Sequence, residues 1–449
     1  MLRRLTLPVV PACLRQVLAP LRSCFTAPSF RTFTAVVTGM LAQTGPRTVC
    51  GMLSGAGLAP LWHHSRVYRL FADARWSPRQ VGLALAALVV AVLVDADQPV
   101  TVAVDDTLFR RRGKKIHAVG WFHDGTARGR APRLAWGNNW VVAAIVVRLP
   151  FGSRPVALPV LAALVGADRR SRPQLARELI DALVARLAPR RVHVVGDAGY
   201  GCRALGGWGQ QVTMTTRAKS NIALFAPPPT RRVGKAGRPR LKGERIGTPP
   251  QIAAHASTHH RWRASTVRVY GTTGSVRVTD RVCRWYGAWH TRPTRLILVR
   301  NHLHRRYQAG GYDLALVTTD LDTPAEQIIA RYADRWSIEV AFHDAKHLLG
   351  VGQAQTRVRA AVARCVPFGL FCQTVLVLWY VQHGHSPADV QQRRRQAPWY
   401  RSKTEPSLLD MLAKLRRVII AARFSPSSPR PATTQEILEV HQAWADAAA

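Results

Sequence analysis

The sequence predicts an α/β protein organised in more than one structural unit. Strand-period and helix-period apolar patterns alternate between residues 100 and 200, and two further strands precede a long helix between 296 and 349. At 449 residues the chain exceeds what one hydrophobic core usually organises, and its 47% hydrophobic content is ample to bury several layers.

Residues 1–97 read as helical, with breaks at Gly45-Pro46 and around Gly55-Ala56-Gly57. A segment from Ser65 through Phe71 follows a short helix near Arg47 to Leu53, a pattern that permits a helix-turn-helix. Arg66, Tyr68 and Arg69 would then face DNA; an ordinary helical bundle is the alternative. The apolar run Val81 to Val94 is shorter than the roughly 20 residues of a membrane span and reads as a buried helix. Pro8 and Pro11 interrupt the short apolar stretch behind Met1, which argues against a signal peptide.

From Pro99 the period changes. Val100, Val102 and Val104 alternate with Thr101 and Ala103, giving a strand that ends in Asp105-Asp106-Thr107, and Trp140 to Leu149 reads as a second. A helix from Arg172 to Leu187 leads to the strand Val192-His193-Val194-Val195, which ends in Gly196-Asp197-Ala198-Gly199-Tyr200-Gly201. Residues 226–250 are a Pro, Gly and Arg-rich linker. Its Gly237-Arg238-Pro239 core, centred on Arg238, resembles extended segments that lie in the minor groove, or is a solvated basic linker. Residues 262–290 read as short strands of an inserted β-rich module carrying Trp262, Trp285 and Trp289.

The α/β pattern resumes with strands at 296–299 and 314–318 and a helix from about Pro324 to Leu349. Thr323-Pro324-Ala325-Glu326 predicts its start as a capping box. From 381 the chain is basic and Pro-interrupted, with one helix after Ser407. The expected organisation is thus a helical region 1–97, a core in two parts (98–225 and 294–380) around the linker and insertion 226–293, and a basic region 381–449.

Charge restricts the partner. The chain carries 64 basic against 25 acidic residues, a formal +39, spread along most of its length. Such a protein binds a polyanion, and nucleic acid is the default because neutralising phosphates releases counterions; a membrane surface is disfavoured. Only eight of the basic residues are lysines, and with abundant Ala, Gly and Pro this suggests a GC-rich bacterial genome. Seven cysteines with no close pair argue against a disulfide framework or a cysteine zinc site and fit a reducing cytoplasm.

Tyr332, Arg335, Glu339 and Lys346 would fall within roughly 60° of one another on a continuous helix. Alone, Arg335 and Glu339 are an ordinary i,i+4 ion pair. Asp106 and Asp197, however, sit at strand ends, where α/β sheets place ligand-binding groups, although each also suits a turn. Three carboxylates on a strongly basic chain point to phosphodiester chemistry run by two Mg²⁺ ions about 4 Å apart, with Mn²⁺ as a substitute. His343 and His347 imitate the spacing of a zinc protease helix, but Asp344 stands where that chemistry needs glutamate. Arg110 to Lys115, a basic run after the first acids, would supply phosphate contacts or plain surface.

The pattern Y-x2-R-x3-E-x6-K at Tyr332, Arg335, Glu339 and Lys346, with Val104-Asp105-Asp106-Thr107 and Val194-Val195-Gly196-Asp197, resembles bacterial insertion-sequence transposases of the DDE class, Y-R-E-K subgroup, over about 98–360. The resemblance implies an RNase H-like catalytic core interrupted by a β-rich insertion, with an N-terminal helical domain and a basic C-terminal tail. It implies that Asp106, Asp197 and Glu339 hold two Mg²⁺ ions, with Asp105 the alternative first acid. Tyr332, Arg335 and Lys346 would contact DNA near the cut, and an insertion tryptophan would stack on an extruded base. The expected partners are the element's terminal repeats and target DNA, bound by a homodimer without a membrane, in the cytoplasm and associated with the nucleoid. The rival readings are a catalytically inactive or domesticated DNA-binding regulator and another RNase H-like nuclease.

Overall fold

The structure, a computed structural model, describes residues 9–125, 133–230, 238–269, 272–301, 311–424 and 438. The described residues begin with helices α1 (Ala12–Leu18), α2 (Ala27–Ala42), α3 (Val49–Gly55), α4 (Ser65–Ala72) and α5 (Pro78–Leu93). Proline stands at the start of α2 and of α5, where its missing N–H costs no helical bond.

Strands β1 (Val100–Arg110), β2 (Gly120–His123), β3 (Leu134–Arg148) and β4 (Pro155–Leu164) precede helix α6 (Arg172–Leu187) and strands β5 (Val192–Gly196) and β6 (Val212–Arg217). A small pair, β7 (Leu224–Phe225) and β8 (Arg245–Gly247), leads to helix α7 (Pro249–Thr258). Then come β9 (Arg263–Val269), β10 (Thr272–Cys283), helix α8 (Tyr286–Trp289), β11 (Thr294–Asn301) and β12 (Leu314–Thr318). Helices α9 (Ala325–Asp334), α10 (Ser337–His347), α11 (Arg359–Trp379), α12 (Asp389–Gln396) and α13 (Leu408–Phe424) follow.

Among the described residues, ten strands form one mixed sheet in the order β2-β3-β1-β5-β6-β12-β11-β10-β9, with β4 also pairing β3. β1 runs parallel to β5 and β5 parallel to β6; the remaining neighbours are antiparallel. Val-rich, fully buried runs in β1, β3 and β5 explain the central position of these strands, since helices cover both faces.

α11 is the hub of the helical side. It packs against α1, α2, α4, α5, α13 and β4. The segment Arg359–Gly384 is long and apolar enough to cross a membrane, yet 89% of its apolar window is buried inside the protein. One continuous core joins α1–α5, the sheet and α11, so these five helices share a core with the sheet. Gly82 sets the approach of α5 to β4: a Cβ there would lie 2.0 Å from the Val160 carbonyl oxygen.

The structure departs from several sequence expectations. β1 does not end at the acids but runs on to Arg110, because β3 continues to pair with it. The strands expected as an inserted β-rich module, β9 and β10, are joined to the main sheet through β11. The helix expected over 324–349 is broken at Arg335-Trp336, where bonds such as Trp336 N–H to the Ala333 carbonyl tighten the turn. No capping box forms there: the Glu326 carboxylate binds the Ser265 hydroxyl and Arg263, and the Thr323 N–H donates to Asp320.

The helix-turn-helix expectation also fails. Residues 56–64 separate α3 from α4, against a tight turn of about four residues. α2 packs against α3 and against α4, and Val67, Leu70 and Phe71 bury the inner face of α4.

Candidate active site

The register explains why acids from separate stretches of chain reach one cleft. β5 pairs with β1 only as far as Gly196 opposite Val104, so Asp105 and Asp106 project just beyond the end of their parallel neighbour. Asp197 follows Gly196 directly, and its Oδ1 accepts the Gly199 N–H at 2.8 Å in a local turn. Adjacent strands lie about 4.8 Å apart, so residues from distant stretches of chain are brought beside one another.

Asp105 and Asp106 are consecutive in a strand and point to opposite faces. Asp105 Oδ2 accepts from Arg335 at 2.8 Å and its Oδ1 accepts the Asp106 N–H at 2.9 Å. Asp106 Oδ2 accepts from Asn139 at 2.9 Å and faces Arg172, the first residue of α6, at 3.3 Å. Arg335 also reaches Glu339 Oε1 at 3.3 Å, so one guanidinium ties β1 to α10. The break between α9 and α10 sits at this arginine.

Burial raises the Asp105 carboxyl to about 7, with Arg335 opposing the shift. Burial also pushes Glu339 up from the ordinary carboxylate range, again against Arg335. For Arg335 itself burial works against the charge, but Asp105, Tyr332 and Glu339 outweigh it and hold the guanidinium charged.

Asp105, Asp106, Asp197, Arg335, Glu339 and Lys346 all line one cleft of about 2100 Å³, together with Arg110, Arg112, Arg172 and Arg357. That exceeds the roughly 300–1,000 Å³ of small-molecule sites, and its basic wall suits a polymeric anion. Burial lowers the Lys346 ammonium from its usual range. Trp336 and Val340, about half exposed, present apolar surface beside Glu339.

The other expected contacts are placed differently. Tyr332 packs against the small core formed by β9–β12 and α9, and burial raises its hydroxyl above the usual range. Arg66 is half-buried, its guanidinium 3.8 Å from the Trp62 ring centre and its Nε donating to Thr32, so it is occupied within the fold. Arg69 and Arg238 are exposed; Lys235 to Gly237 lie outside the described residues. Trp285 and Trp289 are 8% and 2% exposed, and Trp262 lies under Arg300, so these three tryptophans are engaged within the fold. Arg111, expected as part of a phosphate-binding run, is buried and donates to Asn138 and to the Gly352 and Ala354 carbonyls.

Sequence reasoning missed Asn139, Arg172 and Tyr200. Tyr200 is 4% exposed, its hydroxyl has no hydrogen-bond partner among the described residues, and burial together with Asp106, Asp105 and Asp197 raises its pKa well above normal. The Gly-Asp-Ala-Gly-Tyr turn was visible in the sequence, but not that its tyrosine is buried within the field of the aspartates.

Among the described residues, no three acid, histidine or cysteine side chains stand close enough to enclose a metal ion. Arg172 and Arg335 supply the positive charge beside the acids. Asp106 Oδ1, Asp197 Oδ2 and Glu339 Oε2 accept no protein hydrogen bond among the described residues. Free carboxylate oxygens are the donors hard divalent cations prefer.

Comparison with known proteins bears on this cleft. The family described as DDE superfamily endonuclease matches residues 20–275, more than half of the chain. The chain belongs to that family. The matched span contains Asp105, Asp106 and Asp197, and ends before Glu339. Among solved structures, a cryo-EM structure of piggyBac transposase synaptic complex with hairpin DNA is similar at 10% identity and a TM-score of 0.43, covering 99% of this chain and 86% of that one. No curated protein matches the sequence.

Proposed function

We propose that this DDE-family chain is a transposase that cuts DNA at the ends of its own insertion sequence and joins the freed ends elsewhere. The observation that carries the proposal is the arrival of Asp106, Asp197 and Glu339, from three separate stretches of chain, in one arginine-lined cleft. The antiparallel β4–β3–β1 group continued in parallel by β5 and β6 supports an RNase H-like core. The Y-R-E-K spacing supports the bacterial insertion-sequence subgroup.

Asp106, Asp197 and Glu339 would hold two Mg²⁺ ions, or Mn²⁺ in their place, through their free oxygens. When bound, such ions activate water and neutralise charge on the leaving oxygen. Asp106 is the first acid in this reading because Asp105 is already committed on both oxygens. Asp105 instead anchors Arg335, and Arg335 orients Glu339. Arg110, Arg112, Arg172 and Lys346 hold backbone phosphates against the acids, and Trp336 offers its exposed face to a base or sugar. Terminal repeats and target DNA are the substrates, a homodimer holds both ends together, and the setting is the cytoplasm.

The test is plasmid nicking and excision of the native flanking sequences, with Mg²⁺, Mn²⁺ or EDTA. Wild type is expected to cleave only with metal, and Asp106→Asn, Asp197→Asn and Glu339→Gln to lose at least about 10³-fold while still binding DNA. Retained binding with no cleavage by wild type would sink the enzyme reading and leave a DNA-binding regulator.

A further inference from the structure

Between α11 and α13, which packs into the core, α12 and the residues after it are too polar to be a core element and too ordered in their ion pairing to be a featureless tail. α12 (DVQQRRRQ) buries none of its residues, and Pro398, Trp399, Tyr400 and Arg401 follow it on the surface. Three acids lie between 381 and 424, and each is occupied. Asp389 accepts from Lys414 at 2.6 Å and from the Tyr380 hydroxyl at 2.5 Å. Asp410 pairs with Lys403 at 2.7 Å and Arg393 at 3.5 Å. Glu405 accepts the Ser153 N–H at 2.6 Å.

These pairs leave Arg394, Arg395 and Arg401 exposed and without an acidic partner among the described residues. Between them Trp399 is 75% exposed and Tyr400 50%, with ring centres 6.2 Å apart and planes tilted by 52°, so both rings keep an open face. Bare aromatic faces flanked by unpaired arginines are the arrangement that binds unpaired nucleic acid: phosphates on the cations, bases stacked on the rings. A membrane surface fits less well, because α12 has no apolar stripe to bury. A second copy would oppose the same positive charges.

The patch lies outside the catalytic cleft. Glu405 and His385 dock it on the β3–β4 turn, through Ser153 and through the Phe151 ring 4.1 Å from His385. Val141 of β3 pairs with Asp106, whereas the turn begins after Arg148. Those seven residues of strand span about 23 Å.

We propose that Arg394, Arg395, Trp399, Tyr400 and Arg401 form a second DNA-contact surface, remote from the cleft, that binds an unpaired strand. The inference rests on the DNA-cutting reading only for the identity of the polyanion.

The experiment uses the full chain, fluorescein-labelled oligo(dT) of about 20 nucleotides, a duplex of equal length, and fluorescence anisotropy across a salt series. Trp399→Ala/Tyr400→Ala is expected to weaken oligo(dT) binding about 10-fold or more while leaving duplex binding unchanged. Arg394→Ala/Arg395→Ala/Arg401→Ala is expected to reduce the salt slope on oligo(dT) by about 2, from roughly 0.7 per phosphate contact. All five side chains are exposed, and melting curves confirm that the variants fold. Unchanged oligo(dT) affinity, or an equal loss on duplex, overturns the inference. Metal-dependent nicking by wild type, read on the same preparations, separates the two readings: cleavage without a patch effect refutes the second surface alone. A patch effect without cleavage refutes the transposase reading alone.

Discussion

Asp105→Asn tests whether the buried Asp105–Arg335 pair is a structural anchor with an electrostatic cost. Asp105 is raised from 3.8 to about 7 in the fold, mainly by burial. A raised carboxyl binds its proton more tightly folded than unfolded, so its stabilising contribution is complete below pH 3.8 and is lost as pH climbs through about 7. The shift of about three units corresponds to about 4 kcal/mol, at about 1.4 kcal/mol per unit. Asparagine keeps the shape and a hydrogen bond to Arg335 but has no proton to lose. In EDTA, urea denaturation from pH 4 to 8 should therefore show the stability of Asp105→Asn rising relative to wild type, by about 2 to 4 kcal/mol across the window. The same variant should retain metal-dependent cleavage within about 10-fold, unlike Asp106→Asn. Parallel stability curves for the two proteins would refute the buried-anchor argument. A cleavage loss equal to that of Asp106→Asn would make Asp105 the metal ligand.

Other consequences are open to direct measurement. His193 is fully buried between Thr213 and Thr215, and burial, with Arg331 adding to it, lowers its pKa to about 3. The unfolded chain binds that proton more readily between about pH 6.5 and 3, so stability falls on acidification; His193→Gln should flatten this loss in urea midpoints at pH 4 and 7. Gly82→Ala places a methyl 2.0 Å from the Val160 carbonyl and should cost about 1–3 kcal/mol in the same assay, whereas a neutral result would mean that α5 shifts freely on β4. Tyr200→Phe removes a buried hydroxyl that has no partner among the described residues, so metal-free stability should stay level or rise by up to about 1 kcal/mol. If that hydroxyl serves the metal site, the Mn²⁺ concentration for half-maximal nicking should rise; a stability loss above about 2 kcal/mol would mean that the hydroxyl is bonded after all.

How much could be read in advance depended on whether the signal was local. The strand periods at 100–104 and 192–195, the helix at 172–187 and the strong basic charge are written in residue order and composition, and the family match includes Asp106 and Asp197. The i,i+4 spacing of Arg335 and Glu339 was equally local, and the two do touch. Contacts between distant stretches of chain were not legible. Nothing near Asp105 in sequence announces Arg335, 230 residues away, and nothing near Asp106 announces Asn139 or Arg172. Strand register decided which acid faced which arginine, because consecutive residues of a strand point to opposite faces. Pairing also decided that β9 and β10 extend the main sheet, and packing on α11 decided that α4 is a core helix with a half-buried arginine. Periodicity, charge and motif spacing are properties of neighbouring residues, so the sequence determined them alone. Convergence of the acids, the Arg335 anchor and the exposure of Trp399 and Tyr400 depend on which distant surfaces exclude water from one another, so only the tertiary structure decided them.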